Sequence, residues 1–127
     1  MTVANQQRRG LAGLRIFVVE DWHMVAKEIQ TFLDEFGCEV VGPVPSLEAA
    51  LKAAKTEEMD GALLDVNLGD QDVMPVAKVL KERGIPMILV TGYGSGVDTS
   101  EIGEVPIIEK PFDEVTLRQT MLDAFRR

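Results

Sequence analysis

Histidine, cysteine, tryptophan and tyrosine occur once each in these 127 residues, and aromatics make up only 6% of the chain. The lone Cys38 has no partner for an internal disulfide, which fits a reducing compartment. Basic residues are also scarce: 13 Lys and Arg stand against 21 Asp and Glu, a net charge of -8. Nucleic-acid binders rely on lysine and arginine to neutralise phosphates, so this balance argues against that class. Long apolar runs are missing as well. The longest are strand-length, well short of the ~20 residues that a membrane span needs. The opening "MTVANQQRRG" is polar, and no apolar signal-peptide segment follows its two arginines. That pattern predicts a loose cytoplasmic tail over residues 1–12 and no export signal. There is no internal repeat, and the one stretch of loop composition inside the domain is "TGYGSGVDTSEIGE", residues 91–104.

What remains, 46% hydrophobic and 27% charged, is enough for one globular domain with a sizeable core, over residues 13–127. "LRIFVV" (14–19) is a continuous apolar run rich in β-branched residues, the pattern of a strand covered on both faces. The period then changes. Val25, Ile29, Phe32 and Phe36 form one helical stripe, with Gly37 as its stop. "EVVGPV" (39–44) reads as a second strand, and Ser46 as the N-cap of an alanine-rich helix reaching about Thr56. "GALLDV" is strand three. A third helix is expected from near Asp72 to Arg83, stopped by Gly84, followed by strands "PMILVT" (86–91) and "PIIEK" (106–110). The last helix should turn Val115, Met121, Leu122 and Phe125 inward, while Arg126 and Arg127 suit its C-terminal dipole. Between strands four and five, glycines and few apolar residues make any helix short or irregular. Alternating strands and helices imply right-handed crossovers, hence an α/β, doubly wound, flavodoxin-like parallel sheet in the order 2-1-3-4-5.

In that order every strand delivers its last residue to one edge, and a crevice opens between strands one and three. Strand one ends in Glu20 and Asp21, strand three in Asp65, strand four in Thr91 and strand five in Lys110. Three crowded carboxylates repel: at ~4 Å and an effective dielectric of ~20, each pair costs about 4 kcal/mol. One lysine cannot neutralise three charges, whereas a hard divalent cation can. Mg²⁺ binds through one or two carboxylates and fills its other positions with water and phosphate oxygens. Thr91 and Lys110 are suitable donors to those oxygens, so the set describes a site for magnesium and a phosphoryl group.

The acidic pair, the "LLDVNL" strand, the strand-end threonine and the "KPF" triplet, in this order, resemble a receiver domain of the two-component response regulators over nearly all of residues 14–127. "VTGYG" and the curtailed fourth helix further resemble the "FATGUY" single-domain receivers, although Leu89 and Val90 replace that group's Phe-Ala. The resemblance implies that Asp65 takes a phosphoryl group from a phosphohistidine on a sensor histidine kinase or phosphotransfer protein. It further implies that Asp21 and Asp65 hold Mg²⁺ directly, Glu20 through water, and Asn67 by its backbone carbonyl. Lys110 would pair with the phosphoryl group, Thr91 would move to hydrogen-bond it, and the Lys110-Pro111 bond would be cis. Where receivers carry an aromatic switch residue, this chain has Ile107; two roles stand for Tyr93, closing over the phosphoryl group or filling space beside a weak helix.

Other residues have plainer readings. His23 opens the first helix, since no helical bundle is present to display a phosphotransfer histidine; Trp22 either touches a kinase or packs against the loop. Asp70 and Asp72 suit a turn and a cap. The function expected is a phosphoacceptor that signals by contact with a downstream protein or drains phosphate from a shared kinase. Three alternatives are a magnesium-dependent aspartyl-phosphate phosphatase, a flavin or nucleotide carrier, and a phosphorylation-independent docking module. The phosphatase needs a second acid where Asn67 stands, the carrier a phosphate-cradling loop where "EDWH" presents like charge, and the docking module has no use for an intact set of five polar residues.

Overall fold

The computed structural model describes residues 10–92 and 97–125. Five strands, β1 (Arg15–Val19), β2 (Glu39–Val44), β3 (Gly61–Asp65), β4 (Met87–Thr91) and β5 (Ile107–Glu109), form one sheet in the order β2-β1-β3-β4-β5. Every neighbouring pair is parallel, as the alternation of periods in the sequence requires. Four helices cover it: α1 (His23–Glu35), α2 (Leu47–Thr56), α3 (Met74–Glu82) and α4 (Glu114–Phe125).

Side chains alternate across a strand, so each central strand feeds two cores. Ile16, Val18, Leu63 and Ile88 point to one side, where Ile29 and Leu33 of α1 and Leu117, Met121 and Phe125 of α4 meet them. Phe17, Val19, Leu64 and Leu89 point to the other, against Ala50 and Ala54 of α2 and Val76, Ala77 and Leu80 of α3. Burial on both faces explains why β1, β3 and β4 read as unbroken apolar runs. The end of β1 is held by an irregularity in β2: Phe17 pairs with Val41, but Val19 pairs with Val44, so β2 carries one extra residue. Gly42 makes that bulge with φ +105; a Cβ there would lie 2.8 Å from the Val44 amide and 2.9 Å from the Val18 carbonyl. The result is that the Glu20 amide donates to Val44 O at 3.1 Å, fixing the chain where the acidic pair begins.

Several sequence expectations need adjustment. Leu11, expected in the tail, is buried in the α1/α4 core and its carbonyl accepts from Cys38 Sγ at 3.4 Å, so the folded body begins before residue 13. Ser46 caps α2 as expected, accepting from the Ala49 amide at 3.2 Å. Asp72 does not open α3; it ends a two-stranded hairpin, Asn67–Leu68 with Gln71–Asp72, and accepts from the Met74 amide at 3.0 Å. Val115 is 75% exposed, whereas Leu117, Met121 and Phe125 face inward. Leu117 lies two residues on, about 200° around the helix, which puts Val115 on the opposite side. Between β4 and β5 there is no helix among the described residues. A turn, with the Ile102 and Gly103 amides donating to Thr99 O at 3.0 and 2.8 Å, sends the Ile102 side chain into the α2/α3 core in place of a helix face.

Candidate functional site

The ends of β1, β3 and β5 converge on a cleft of about 490 Å³, lined by Asp21, Trp22, Val25, Asp65, Asn67, Lys110 and Phe112 among others. Glu20 and Asp65 are 2% and 5% exposed, while Asp21 stands in solvent. Each of the three acids offers one carboxylate oxygen, and these oxygens all lie within 4.8 Å of one another. Lys110 Nζ answers two of them, 3.4 Å from Asp65 Oδ2 and 3.0 Å from Glu20 Oε1. The second approach lacks hydrogen-bond alignment, so the buried Glu20 Oε1 has a charge nearby but no hydrogen bond. Backbone amides hold the remaining oxygens: Trp22 N to Glu20 Oε2 at 3.1 Å, Asn67 N to Asp65 Oδ1 at 3.3 Å, and Gly69 N to Asp21 Oδ2 at 2.8 Å.

The electrostatics follow from this crowding. Burial, and then the adjoining carboxylate of Glu20, push the Asp65 carboxyl from its ordinary 3.8 up to about 7; Lys110 and the Asn67 amide pull the other way and lose. For Lys110, burial works to lower the ammonium, but pairing with Glu20 and the charge of Asp65 prevail and hold it above its usual value. The protein alone therefore leaves a surplus of negative charge and an orphaned carboxylate oxygen at the lip of the core. A hard, oxygen-only donor set with that deficit fits a divalent cation.

The structure thus brings Glu20, Asp21, Asp65 and Lys110 together, as their strand-end positions predict. Thr91 ends β4 beside them: its carbonyl accepts from the Lys110 amide at 2.8 Å, and the residue is 2% exposed. The Lys110-Pro111 peptide is cis. Ile107 is not part of the cleft; it is exposed on β5 and lines a shallow depression with Thr99, Glu104, Val105 and Pro106. Tyr93 lies outside the described residues. Trp22, 65% exposed, forms one wall of the cleft and does not pack away. His23 is the first residue of α1, as expected. The part that sequence reasoning missed is the hairpin after Asp65, whose Gly69-Asp70 turn reaches across to Asp21. A glycine followed by aspartate between two short extended segments was the available signal.

Comparison with known proteins agrees with this geometry. The family model described as "Response regulator receiver domain" matches residues 16–122. Sensory transduction protein LytT of Bacillus anthracis is 28% identical over 112 residues, which are 85% of this chain and 46% of that protein. The chain therefore spans about half the length of the curated relatives it matches first. Among solved structures, SdrG from Sphingomonas melonis Fr1 superposes with a TM-score of 0.76 at 32% identity, covering 86% of this chain and 93% of that one. The receiver domain of sensor histidine kinase PA1611 from Pseudomonas aeruginosa PAO1, solved with a magnesium ion coordinated in its active-site cleft, gives 0.75 at 25% identity, covering 88% and 96%. Nothing in these matches singles out the "FATGUY" subgroup.

Proposed function

This chain belongs to the response regulator receiver domain family, and on that premise we propose that Asp65 accepts a phosphoryl group from the phosphohistidine of a sensor histidine kinase or phosphotransfer protein, with Mg²⁺ required. The observation that carries the reading is a nearly buried carboxylate at an open cleft, with a lysine 3.4 Å away and two further carboxylates around it. Of the two buried acids paired with Lys110, Glu20 and Asp65, it is Asp65 that lines that cleft.

Glu20, Asp21, Asp65 and the Asn67 carbonyl are the residues that would hold the cation. Its chemistry there would be to offset the charge of the acids and of the phosphoryl oxygens. Asp65 Oδ attacks phosphorus, a P–O bond forms as the P–N bond to the donor's imidazole breaks, and the imidazole leaves carrying that electron pair and takes up a proton. Lys110 is set to pair with a phosphoryl oxygen in exchange for a carboxylate, and the Thr91 hydroxyl to turn toward another. An aspartyl-phosphate phosphatase would want a second carboxyl two residues past Asp65 to protonate its leaving group; Asn67 cannot donate that proton, so turnover as a phosphatase should be slow. A buried, unpaired Cys38 suits a cytoplasmic setting. No helix among the described residues is long and apolar enough to cross a membrane.

Incubation with acetyl phosphate and Mg²⁺, read by intact mass, tests the reading. One phosphoryl group should be gained, lost with a chelator and absent in Asp65→Asn; an unmodified wild-type chain, or a labelled Asp65→Asn, contradicts it.

A further inference from the structure

The three acids of the site take their backbone hydrogen bonds from different places. Glu20 and Asp65 each accept from the amide two residues ahead, a local turn that acidic residues make without help from the rest of the fold. Asp21 accepts from Gly69, 48 residues along the chain, and at 2.8 Å this is the shortest of the three bonds. Asp21 is also the exposed member, so without that donor its carboxylate would be free to turn among rotamers.

The donor sits on a built platform. Leu68 is buried in the α2/α3 core and pairs with Gln71, while Asn67 pairs with Asp72. The Val73 amide closes the base of the hairpin onto Val66 O at 3.1 Å, and Asp72 ties its end to α3. Gly69 turns the chain at φ +64, a left-handed conformation that costs glycine nothing, and the space beside it is open: a Cβ would stand 4.0 Å from Asp21 Oδ2. The contact is therefore made by backbone alone. One amide uses one lone pair of Oδ2, leaving Oδ1 and the other lone pair for a cation.

We infer that the Gly69 amide is a positioning group for the cation, fixing the Asp21 carboxylate so that the hairpin sets magnesium affinity and selectivity. The inference rests on the magnesium reading above. Groups that orient a metal ligand from behind typically govern 10–100-fold in affinity. Mg²⁺ demands near-ideal octahedral ligands, whereas Ca²⁺ accepts flexible ones, so a loosened Asp21 penalises magnesium more.

The test is the full chain prepared by ligation with glycolic acid in place of Gly69, which exchanges the amide for an ester and removes the donor without restricting φ. Calorimetric titration with Mg²⁺ and with Ca²⁺ should show magnesium binding weakened about tenfold or more, with calcium weakened less. Equal affinity in both chains, or equal loss for both ions, overturns the inference. NMR of the unmodified chain gives a second reading: the Gly69 amide should stay downfield and slow to exchange when Mg²⁺ binds, and its release by the ion overturns the inference without any variant. Failure of the unmodified chain to bind magnesium at all would instead defeat the functional reading beneath it.

Discussion

Replacing Asp65 with asparagine should stabilise the metal-free protein, and increasingly so as pH rises. The folded chain holds the Asp65 proton more tightly than the unfolded chain, because burial and Glu20 raise the carboxyl from 3.8 to about 7. Between those values the native state binds more protons than the unfolded one, so stability falls as pH rises and levels off above about 7. A shift of about 3 pH units corresponds to about 4 kcal/mol in all, at 1.36 kcal/mol per unit, and about 2 to 3 kcal/mol of it falls between pH 5 and 8. At the usual unfolding entropy per residue, a chain of this size converts that into roughly 10 °C. Thermal melts in chelator at pH 5 and 8 should therefore show the gap between Asp65→Asn and wild type widening by about that amount. Saturating Mg²⁺ at pH 8 should close much of it for the wild type and leave the variant unmoved. Parallel pH profiles of the two chains would refute the argument that Asp65 carries a burial cost which a cation relieves.

Gly42→Ala should cost roughly 3 kcal/mol or more in urea denaturation, because the new Cβ meets backbone at 2.8 and 2.9 Å in a left-handed conformation; a loss under about 1 kcal/mol would deny the bulge its role. Leu117→Ala should cost about 2 to 5 kcal/mol and Val115→Ala less than about 0.5, so equal effects would contradict the assigned face of α4. Lys110→Met should lower metal-free stability by roughly 3 kcal/mol by leaving Glu20 and Asp65 buried without their cation; unchanged denaturation midpoints would show the pairs to be idle. Burial pushes the Cys38 thiol up to about 11, so alkylation at pH 8 should wait for unfolding, and prompt modification of the native chain would contradict its packing.

Much of this architecture can be read along the chain because its signals are local. The unbroken apolar runs of β1, β3 and β4 announce strands covered on both faces, and Ser46 lies three residues before the amide it caps. The strand-end positions of Glu20, Asp21, Asp65 and Lys110 need only the sheet order to become a site. The features that escape are relational. Asp72 looks like a helix cap and does serve the Met74 amide, but the hairpin behind it has two residues per strand, too few for an alternating pattern to register. Its bond to Asp21 joins segments 48 residues apart and exists only once the fold does. The last helix misleads for a simpler reason: Val115 is apolar and near the start, whereas Leu117 sets the stripe that reaches Met121 and Phe125 at steps of four. Leu11 escapes because composition marks a polar terminus without saying where it meets the core.

Asp65 is the residue proposed to carry the phosphoryl group. Reduction of the acetyl phosphate-treated protein with tritiated borohydride converts an aspartyl phosphate to homoserine, and peptide sequencing then locates the label. Tritiated homoserine is expected at position 65, dependent on Mg²⁺. Label at Glu20, Asp21 or any other acid, with position 65 still aspartate, would contradict it.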